Sequence, residues 1–571
     1  MVNISINNQV ISVPENTTIL EASKMYGINI PTLCYLKEIN EIAACRICLV
    51  EIKGYERLFP ACNTKVLEGM DIQTETRKVR NARRMNLQFI LANHDTQCNT
   101  CVRNSNCELQ NLSAQLNITT QPFKPELTKK KWDDTLPLIR DDSKCIRCMR
   151  CIGVCDYVQQ MKVWDVLGSG ARAKVGVCGS TPLNESDCTY CGQCITHCPV
   201  GALSARNDMD RFFDDVENPE IITVVQIAPA VRAAWQEDLH DDSLGGNIKK
   251  LASALRKLGV DYVFDTDFTA DLTIMEEGSE LIERLTHPDQ YAWPMYTSCC
   301  PGWVRFTKSQ APDMLDNLST AKSPQQMFGA VIKTYFANAK QIDPKKIRSI
   351  SIMPCVSKKD ECTLPKFGSE ERGQDVDYVL TTREIDRIIK AASINLGQLE
   401  PEEFDSPMAE STGAGVIFGM QGGVMEAALR SAYYLVTKEK PPVDAFSEVR
   451  TKENAWTEAE FDIAGIKLKV AIASGLGNAR RLVNAIRKKE VVYDFVEIMA
   501  CPGGCVGGGG QPISGGKELA DVRGKRLNAL DQNAEIRFSH ENPDVLKLYE
   551  DFLGAPLSHK SHELLHTNHH Q

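Results

Sequence analysis

No run of apolar residues in this 571-residue sequence approaches the ~18 that a bilayer-spanning helix needs, so a membrane protein is not expected. The opening stretch, MVNISINNQVISVPENTTIL, has neither a basic segment nor a continuous apolar core. An export signal is therefore not expected, and the chain is read as cytoplasmic. Positive charge is in deficit: 65 Lys and Arg stand against 75 Asp and Glu, giving a net charge of −10 and a pI near 5.6. A nucleic-acid binder would carry the opposite footprint. At this length several domains are expected, because single cores stop growing near ~250–300 residues.

What the sequence has in abundance is cysteine, 22 in all, mostly in C-x2-C repeats. In a small secreted chain these would be disulfides; in a long chain without an export signal they read as metal ligands. The first group is Cys34, Cys45, Cys48 and Cys62, spaced C-x10-C-x2-C-x13-C. Ahead of it lie the alternating segment VNISINNQVISV, read as a hairpin turning at Asn-Asn, and a short helix opened by Thr18 and Glu21 and closed by Gly27. This arrangement resembles the β-grasp [2Fe–2S] ferredoxins, with a longer first gap than the plant type. The alternative is a zinc knuckle, although zinc sites favour two short C-x2-C arms.

The second group is His94, Cys98, Cys101 and Cys107, after the helically periodic TRKVRNARRMNLQFILANH. Alone, H-x3-C-x2-C-x5-C suits a Cys3His zinc site as well as a cluster. It resembles the His/Cys3 [4Fe–4S] site of hydrogenases and respiratory complex I. The third group is the most specific. Cys145, Cys148, Cys151 and Cys155 form C-x2-C-x2-C-x3-C, and Cys188, Cys191, Cys194 and Cys198 repeat it, ending in Cys198-Pro199. In such paired runs the fourth cysteine serves the other cluster. One set is then Cys145, Cys148, Cys151 and Cys198, and the other is Cys188, Cys191, Cys194 and Cys155.

From about residue 210, strand-like runs (IITVVQIAP, IRSISIMP, KLKVAIASG) alternate with helical ones, the rhythm of an α/β domain with parallel sheets. Cysteines now follow directly after strands, where α/β proteins place ligands. Three stretches stand out: TSCCPGW (297–303), MPCVSKKDE (353–361) and MACPGGCVGGGGQP (499–512). The last lacks the lysine and hydroxyl residue of a phosphate loop. Their thiols, Cys299, Cys300, Cys355, Cys501 and Cys505, suffice for one further [4Fe–4S] cluster with one left over.

These three stretches look like the three signatures of [FeFe]-hydrogenases. With the cluster groups before them, essentially the whole chain resembles the modular clostridial type. The resemblance implies a multi-domain α+β and α/β chain. Residues 1–78 would be a [2Fe–2S] β-grasp domain, 79–125 a His/Cys3 cluster domain, and 126–209 a bacterial two-cluster [4Fe–4S] ferredoxin-like domain. Residues 210–571 would be a large α/β H-cluster domain with mainly parallel sheets. The implied cofactors are the H-cluster, a [4Fe–4S] cubane joined to a di-iron unit with CO, CN⁻ and azadithiolate, plus one [2Fe–2S] and three accessory [4Fe–4S] clusters.

By the same resemblance, Cys300, Cys355, Cys501 and Cys505 hold the cubane, with Cys505 bridging to the di-iron unit. Cys299 exchanges protons with the azadithiolate amine, Lys358 binds a cyanide, and Met353 and Met499 pack around the two irons. Ser323, Gln325 and Phe418 match further pocket positions. Glu277, Ser319, Glu280 and Arg284 match the family's proton route to Cys299. On pattern alone, MEEGSELIERL would be a solvated acidic helix face with an ordinary Glu280–Arg284 pair.

The implied activity is reversible formation of H₂ from protons and electrons. Implied partners are ferredoxin or flavodoxin as electron carrier and the hydrogenase maturation proteins, around a monomer that binds neither nucleic acid nor membrane. The alternatives are the catalytic subunit of an NADH-linked bifurcating hydrogenase and a non-catalytic iron–sulfur sensor or assembly protein. HELLH at 562–566 fits the zincin pattern but lies in a His-rich tail without an evident third ligand. Cys178 and Cys362 are read as bystanders, and the basic stretches Arg77–Arg84 and Lys129–Lys131 as solvated surface able to help dock an acidic carrier.

Overall fold

The computed structural model describes residues 1–571 apart from 125, 126, 128–130, 240–246, 443, 452, 453, 516 and 517. The hairpin forms as expected: Val2–Ile6 pairs antiparallel with Gln9–Val13, and Asn7 and Asn8 both take positive φ. Two positive φ angles in the loop match the twist of the strands, and Asn tolerates them. These strands join a five-stranded sheet onto which helix Ile19–Met25 packs. A reciprocal Thr18–Glu21 capping box starts that helix.

Helix Arg77–Ala92 leads to the second cysteine group. One expectation fails on it. Arg83 is buried rather than solvated: its guanidinium donates twice to the carbonyl of Leu49 and once to Glu75. It fastens the helix to the first sheet. Lys129 and Lys130 lie outside the described residues. The doubled C-x2-C runs fold as short helices, Arg150–Gly153 and Gln193–Thr196, flanked by two small two-stranded sheets.

Two four-stranded sheets organise the rest. In one, Tyr262–Asp265, Ile222–Ile227, Ile347–Met353 and Tyr378–Thr381 run parallel in that spatial order. In the other, Met295–Tyr296, Phe495–Met499 and Ile466–Ser474 are parallel, and Thr457–Ile463 closes the edge antiparallel. Inner strands such as Ile222–Ile227 and Phe495–Met499 are buried almost throughout, as strands covered on both faces must be. Helix Thr266–Thr286 threads between the two sheets. The solvated face expected on pattern is not there: Glu276, Glu277, Glu280 and Arg284 are buried, although Glu283 is exposed. Among the described residues no helix is long and apolar enough to cross a membrane.

Candidate active site

Each of the three signature stretches leaves the C-terminal end of a parallel strand, and the three ends converge. Cys299 and Cys300 follow Met295–Tyr296, Cys355 follows Ile347–Met353, and Cys501 and Cys505 follow Phe495–Met499. Cys299, Cys300, Cys355 and Cys505 line one cavity of about 70 Å³, several times the ~10–15 Å³ that a water requires. Met353, Met499, Phe418, Gln325 and Lys358 line it too. Cys501 sits against the same group, within electrostatic reach of Cys300, Cys355 and Cys505.

The donor set fits an iron–sulfur centre: soft thiolates from separate loops, one ammonium, and an otherwise apolar lining. Burial pushes the Cys355 thiol up to about 12 and the Cys501 thiol well above its ordinary range. Such thiols ionise only against a strong positive charge, so metal binding and deprotonation are coupled here.

Glycines let the third loop thread this space. A Cβ on Gly509 would stand 2.3 Å from the carbonyl oxygen of Cys191 and 2.5 Å from Cα of Gly192. Gly504 has φ +89°, and its Cβ would lie 2.7 Å from the backbone nitrogen of Gln421. Both contacts are with backbone, which cannot swing away. The loop's glycines are therefore a packing requirement between two parts of the chain.

Glu361, which sequence reasoning missed, organises one wall. A single carboxylate oxygen accepts from Lys358 at 2.9 Å, Ser323 at 2.9 Å and Gln325 at 3.1 Å. Lys358 also donates to the carbonyl of Cys299 at 3.2 Å. Burial works against the lysine's charge, but the Glu361 carboxylate outweighs it and holds Lys358 above its ordinary range. The ammonium therefore stays charged beside the thiols. Ser323 faces Glu361 and does not line the cavity.

The proton-route residues fall in a row on helix Thr266–Thr286 and the segment after Leu318. Glu280 accepts the Ser319 hydroxyl at 2.8 Å and the Thr320 amide at 3.0 Å, and Arg284 holds it at 2.6 Å. Arg284 donates as well to the carbonyl of Leu318 at 3.0 Å. Glu277 is 1 % exposed, and no well-formed hydrogen bond reaches its carboxylate oxygens, although the Ser319 hydroxyl and the Ser298 backbone N–H lie close enough to favour its charged form. Burial, reinforced by the charge of Glu280, pushes Glu277 up to about 8. Burial and then the Glu277 charge push the Cys299 thiol well above its ordinary range. The row ends in two groups that hold protons near neutrality.

The His-rich tail covers this row. Helix His559–Leu565 delivers His566, whose Nδ1 meets the Thr320 hydroxyl at 2.7 Å and whose Nε2 meets Glu276 at 3.0 Å. His569 contacts the carbonyl of Ser319 at 2.8 Å. Both ring nitrogens of His566 are thus committed inside the protein, and the HELLH pattern is structural packing around the row. Cys178 is exposed; Cys362 is buried with its Sγ near the carbonyl of Lys359.

The N-terminal groups gather as well. Cys34 lies within hydrogen-bonding reach of Cys45, and Cys48 of Cys62, with the Cys34 charge felt at both Cys48 and Cys62. His94 is 7 % exposed and its Nδ1 meets the carbonyl of Lys144 at 3.0 Å, an orientation that leaves Nε2 available to a ligand. Cys98 and Cys101 bracket a tight turn, and the Cys101 charge reaches Cys107. Cys145, Cys148, Cys151 and Cys198 line a single small cavity, although Cys198 is far away in sequence. Cys155, Cys188, Cys191 and Cys194 are mutually within electrostatic reach.

Residues 221–509 match the family described as "Iron only hydrogenase large subunit, C-terminal domain", and 517–571 match "Iron hydrogenase small subunit". Residues 1–77 match a 2Fe-2S iron-sulfur cluster binding domain, 83–122 the iron-sulfur binding region of NADH-ubiquinone oxidoreductase-G, and 181–204 a 4Fe-4S binding domain. The chain is 45% identical over 579 residues to the NADP-reducing hydrogenase subunit HndD of Solidesulfovibrio fructosivorans, covering 100% of this chain and 98% of that one. It is 38% identical over 576 residues to iron hydrogenase 1 of Clostridium pasteurianum, covering 99% of each. A solved [FeFe]-hydrogenase, a HydA1 variant from Chlamydomonas reinhardtii, superposes on 63% of this chain and 98% of that one, with a TM-score of 0.55 and 42% identity.

Proposed function

The chain belongs to the iron-only hydrogenase family and is an oxidoreductase acting on hydrogen; from that premise we propose that it interconverts protons and H₂ with electrons from ferredoxin or flavodoxin. The observation that carries this reading is the convergence of Cys299, Cys300, Cys355 and Cys505 on one cavity, with the charge of Glu277 felt at Cys299 and Ser319, Glu280 and Arg284 hydrogen-bonded in sequence behind it. Bound there, an H-cluster supplies the iron at which protons and electrons combine. Cys300, Cys355, Cys501 and Cys505 would hold its cubane, and dedicated maturation proteins would insert its di-iron unit.

The remaining work falls to side chains. Cys299, protonated by virtue of its burial, hands a proton into the cavity and is refilled from Glu277. Glu277 draws on Glu280 through the Ser319 hydroxyl. Arg284 fixes the Glu280 carboxylate so that it faces Ser319 and Thr320. Lys358 offers a charge-assisted donor to an anionic ligand such as cyanide, while Met353, Met499 and Phe418 exclude water. The four N-terminal cysteine groups would carry one [2Fe–2S] and three [4Fe–4S] clusters. They fall in domains over residues 1–78, 79–125 and 126–209, ahead of the catalytic domain over 210–571. The infrared spectrum of the anaerobically matured chain tests the whole reading: bands of bound CO and CN⁻ are expected, and their absence defeats it.

The pH dependence follows from Glu277. Its carboxyl rises from 4.5 to about 8 on folding, so the folded chain binds the proton more tightly. Its contribution to stability is therefore greatest at low pH and declines as pH rises from about 4.5 through about 8. The infrared band of a protonated carboxyl should disappear with a midpoint near pH 8 in the native protein. In Glu277→Gln that band should be missing throughout; its persistence would assign it elsewhere.

A second reading, the catalytic subunit of an NAD(P)-linked complex, is favoured by the 45% identity to a subunit of an NADP-reducing hydrogenase. Hydrogen evolution from reduced ferredoxin by the isolated chain, falling steeply with added salt, is expected for direct docking of an acidic carrier. Salt-independent rates, with turnover appearing only when partner subunits and NADPH are added, would favour the second reading.

A further inference from the structure

Gln159 lies where the ferredoxin-like region meets the third signature, and its amide is fully committed there. The residue is 1 % exposed. Its Nε2 donates to the Sγ of Cys191 at 3.3 Å and to the carbonyl of Ala500 at 2.9 Å. Its Oε1 accepts the backbone N–H of Leu476 at 2.9 Å. The partners fix the orientation: a flipped amide would aim its oxygen at a sulfur and a carbonyl, both acceptors, and its N–H₂ at another donor.

The two sides of this contact belong to different cysteine sets. Cys191 stands with Cys155, Cys188 and Cys194. Ala500 directly precedes Cys501, and its own amide reaches the Sγ of Cys300 at 3.4 Å. Cys501 in turn has its Sγ 3.8 Å from the carbonyl of Cys191. One buried amide therefore touches a sulfur of the last accessory set and the backbone that carries the sulfurs of the catalytic set.

The geometry points to Gln159 as the positioning residue that raises the reduction potential of the cluster held by Cys155, Cys188, Cys191 and Cys194 and locks that cluster against the catalytic one. The inference rests on the ligand sets proposed above. An N–H aimed at a ligand sulfur stabilises the form with the extra electron, so the donor makes reduction easier. Packing alone does not require an amide here, because an isosteric apolar side chain would fill the same space.

EPR-monitored redox titrations of the matured native chain, Gln159→Leu and Gln159→Glu test this. Leu removes the donor and the acceptor. Glu keeps an acceptor for Leu476 and puts an oxygen where the N–H was. The midpoint of one [4Fe–4S] signal should move to more negative potential in both variants, further in Gln159→Glu, while the other signals stay in place. If every [4Fe–4S] signal keeps its native potential in both variants, the inference is overturned. In the unaltered protein, nitrogen-15-labelled glutamine should show hyperfine coupling to that reduced cluster. Absence of the coupling overturns the inference without relying on any variant to fold. A native chain lacking this cluster's signal altogether would instead refute the ligand sets.

Discussion

Glu280→Gln is expected to abolish most hydrogen evolution, a loss on the order of 10²–10⁴-fold as for a removed acid–base group, while iron content and the CO and CN⁻ bands stay native. The substitution is nearly isosteric, so the wall it belongs to should survive. Oε1 of the new amide could still accept from Arg284 and the Thr320 amide, and its N–H₂ would stand where the second oxygen now accepts the Ser319 hydroxyl, which can turn to accept instead. What vanishes is a carboxyl that takes a proton on one side and releases it on the other. Glu277 has no well-formed hydrogen bond of its own, and in the proposed route it depends on this relay for refilling. Near-native hydrogen evolution by Glu280→Gln would remove the row from the mechanism. Hydrogen–deuterium exchange in the same variant should fall in parallel, since both reactions need the proton to reach the cavity.

Gly509→Ala should disconnect the ferredoxin-like region from the catalytic loop. The new methyl would meet the Cys191 carbonyl oxygen at 2.3 Å and Gly192 Cα at 2.5 Å, both in backbone. Overpacking of this kind costs ~1–3 kcal/mol and more where nothing yields. Relief requires the two loops to part at the contact that also includes Cys191 and Cys501. Carrier-driven hydrogen evolution should then drop by about tenfold or more, a change worth ~1.4 kcal/mol in barrier, with the CO and CN⁻ bands retained. Gly278→Ala is the control, because a Cβ there meets nothing within 4 Å. Native rates in Gly509→Ala would show that the contact is dispensable for electron delivery.

How the N-terminal cysteines gather was legible from spacing, because each group repeats a local pattern of a rare residue; the five of the catalytic domain were picked out by their place after strands and by resemblance. The strand ends were legible too, since IITVVQI, IRSISIM and FVEIM are apolar runs of a length that suits buried parallel strands. The polar partners were not. Glu361 lies in a stretch of mixed charges, and nothing in that stretch marks it as the shared acceptor of Lys358, Ser323 and Gln325. Gln159 finds two of its three partners at 476 and 500, more than 300 positions on. Helix Thr266–Thr286 misleads for a physical reason. Periodicity reports where apolar residues lie, and a helix packed on all sides can bury acids if donors reach them, as Ser319 and Thr320 do from another segment and Arg284 from one turn further along the helix. Arg83 shows the converse, a charge in a basic run that is needed inside.

The tail that closes over Thr320 has a consequence for biosynthesis. His566 follows Thr320 by 246 positions, so the strands, cysteine loops and acidic helix all leave the ribosome well before the segment that walls them in. Until then Glu276 lacks its imidazole and its Tyr549 partner, and the inner end of the acidic helix stays open to water. The nascent chain therefore passes through a stage in which Thr320 and Glu276 lack the contacts that the tail supplies. A stalled or clipped product ending before His559 would carry every cysteine and still lack the imidazole that meets Thr320 and Glu276.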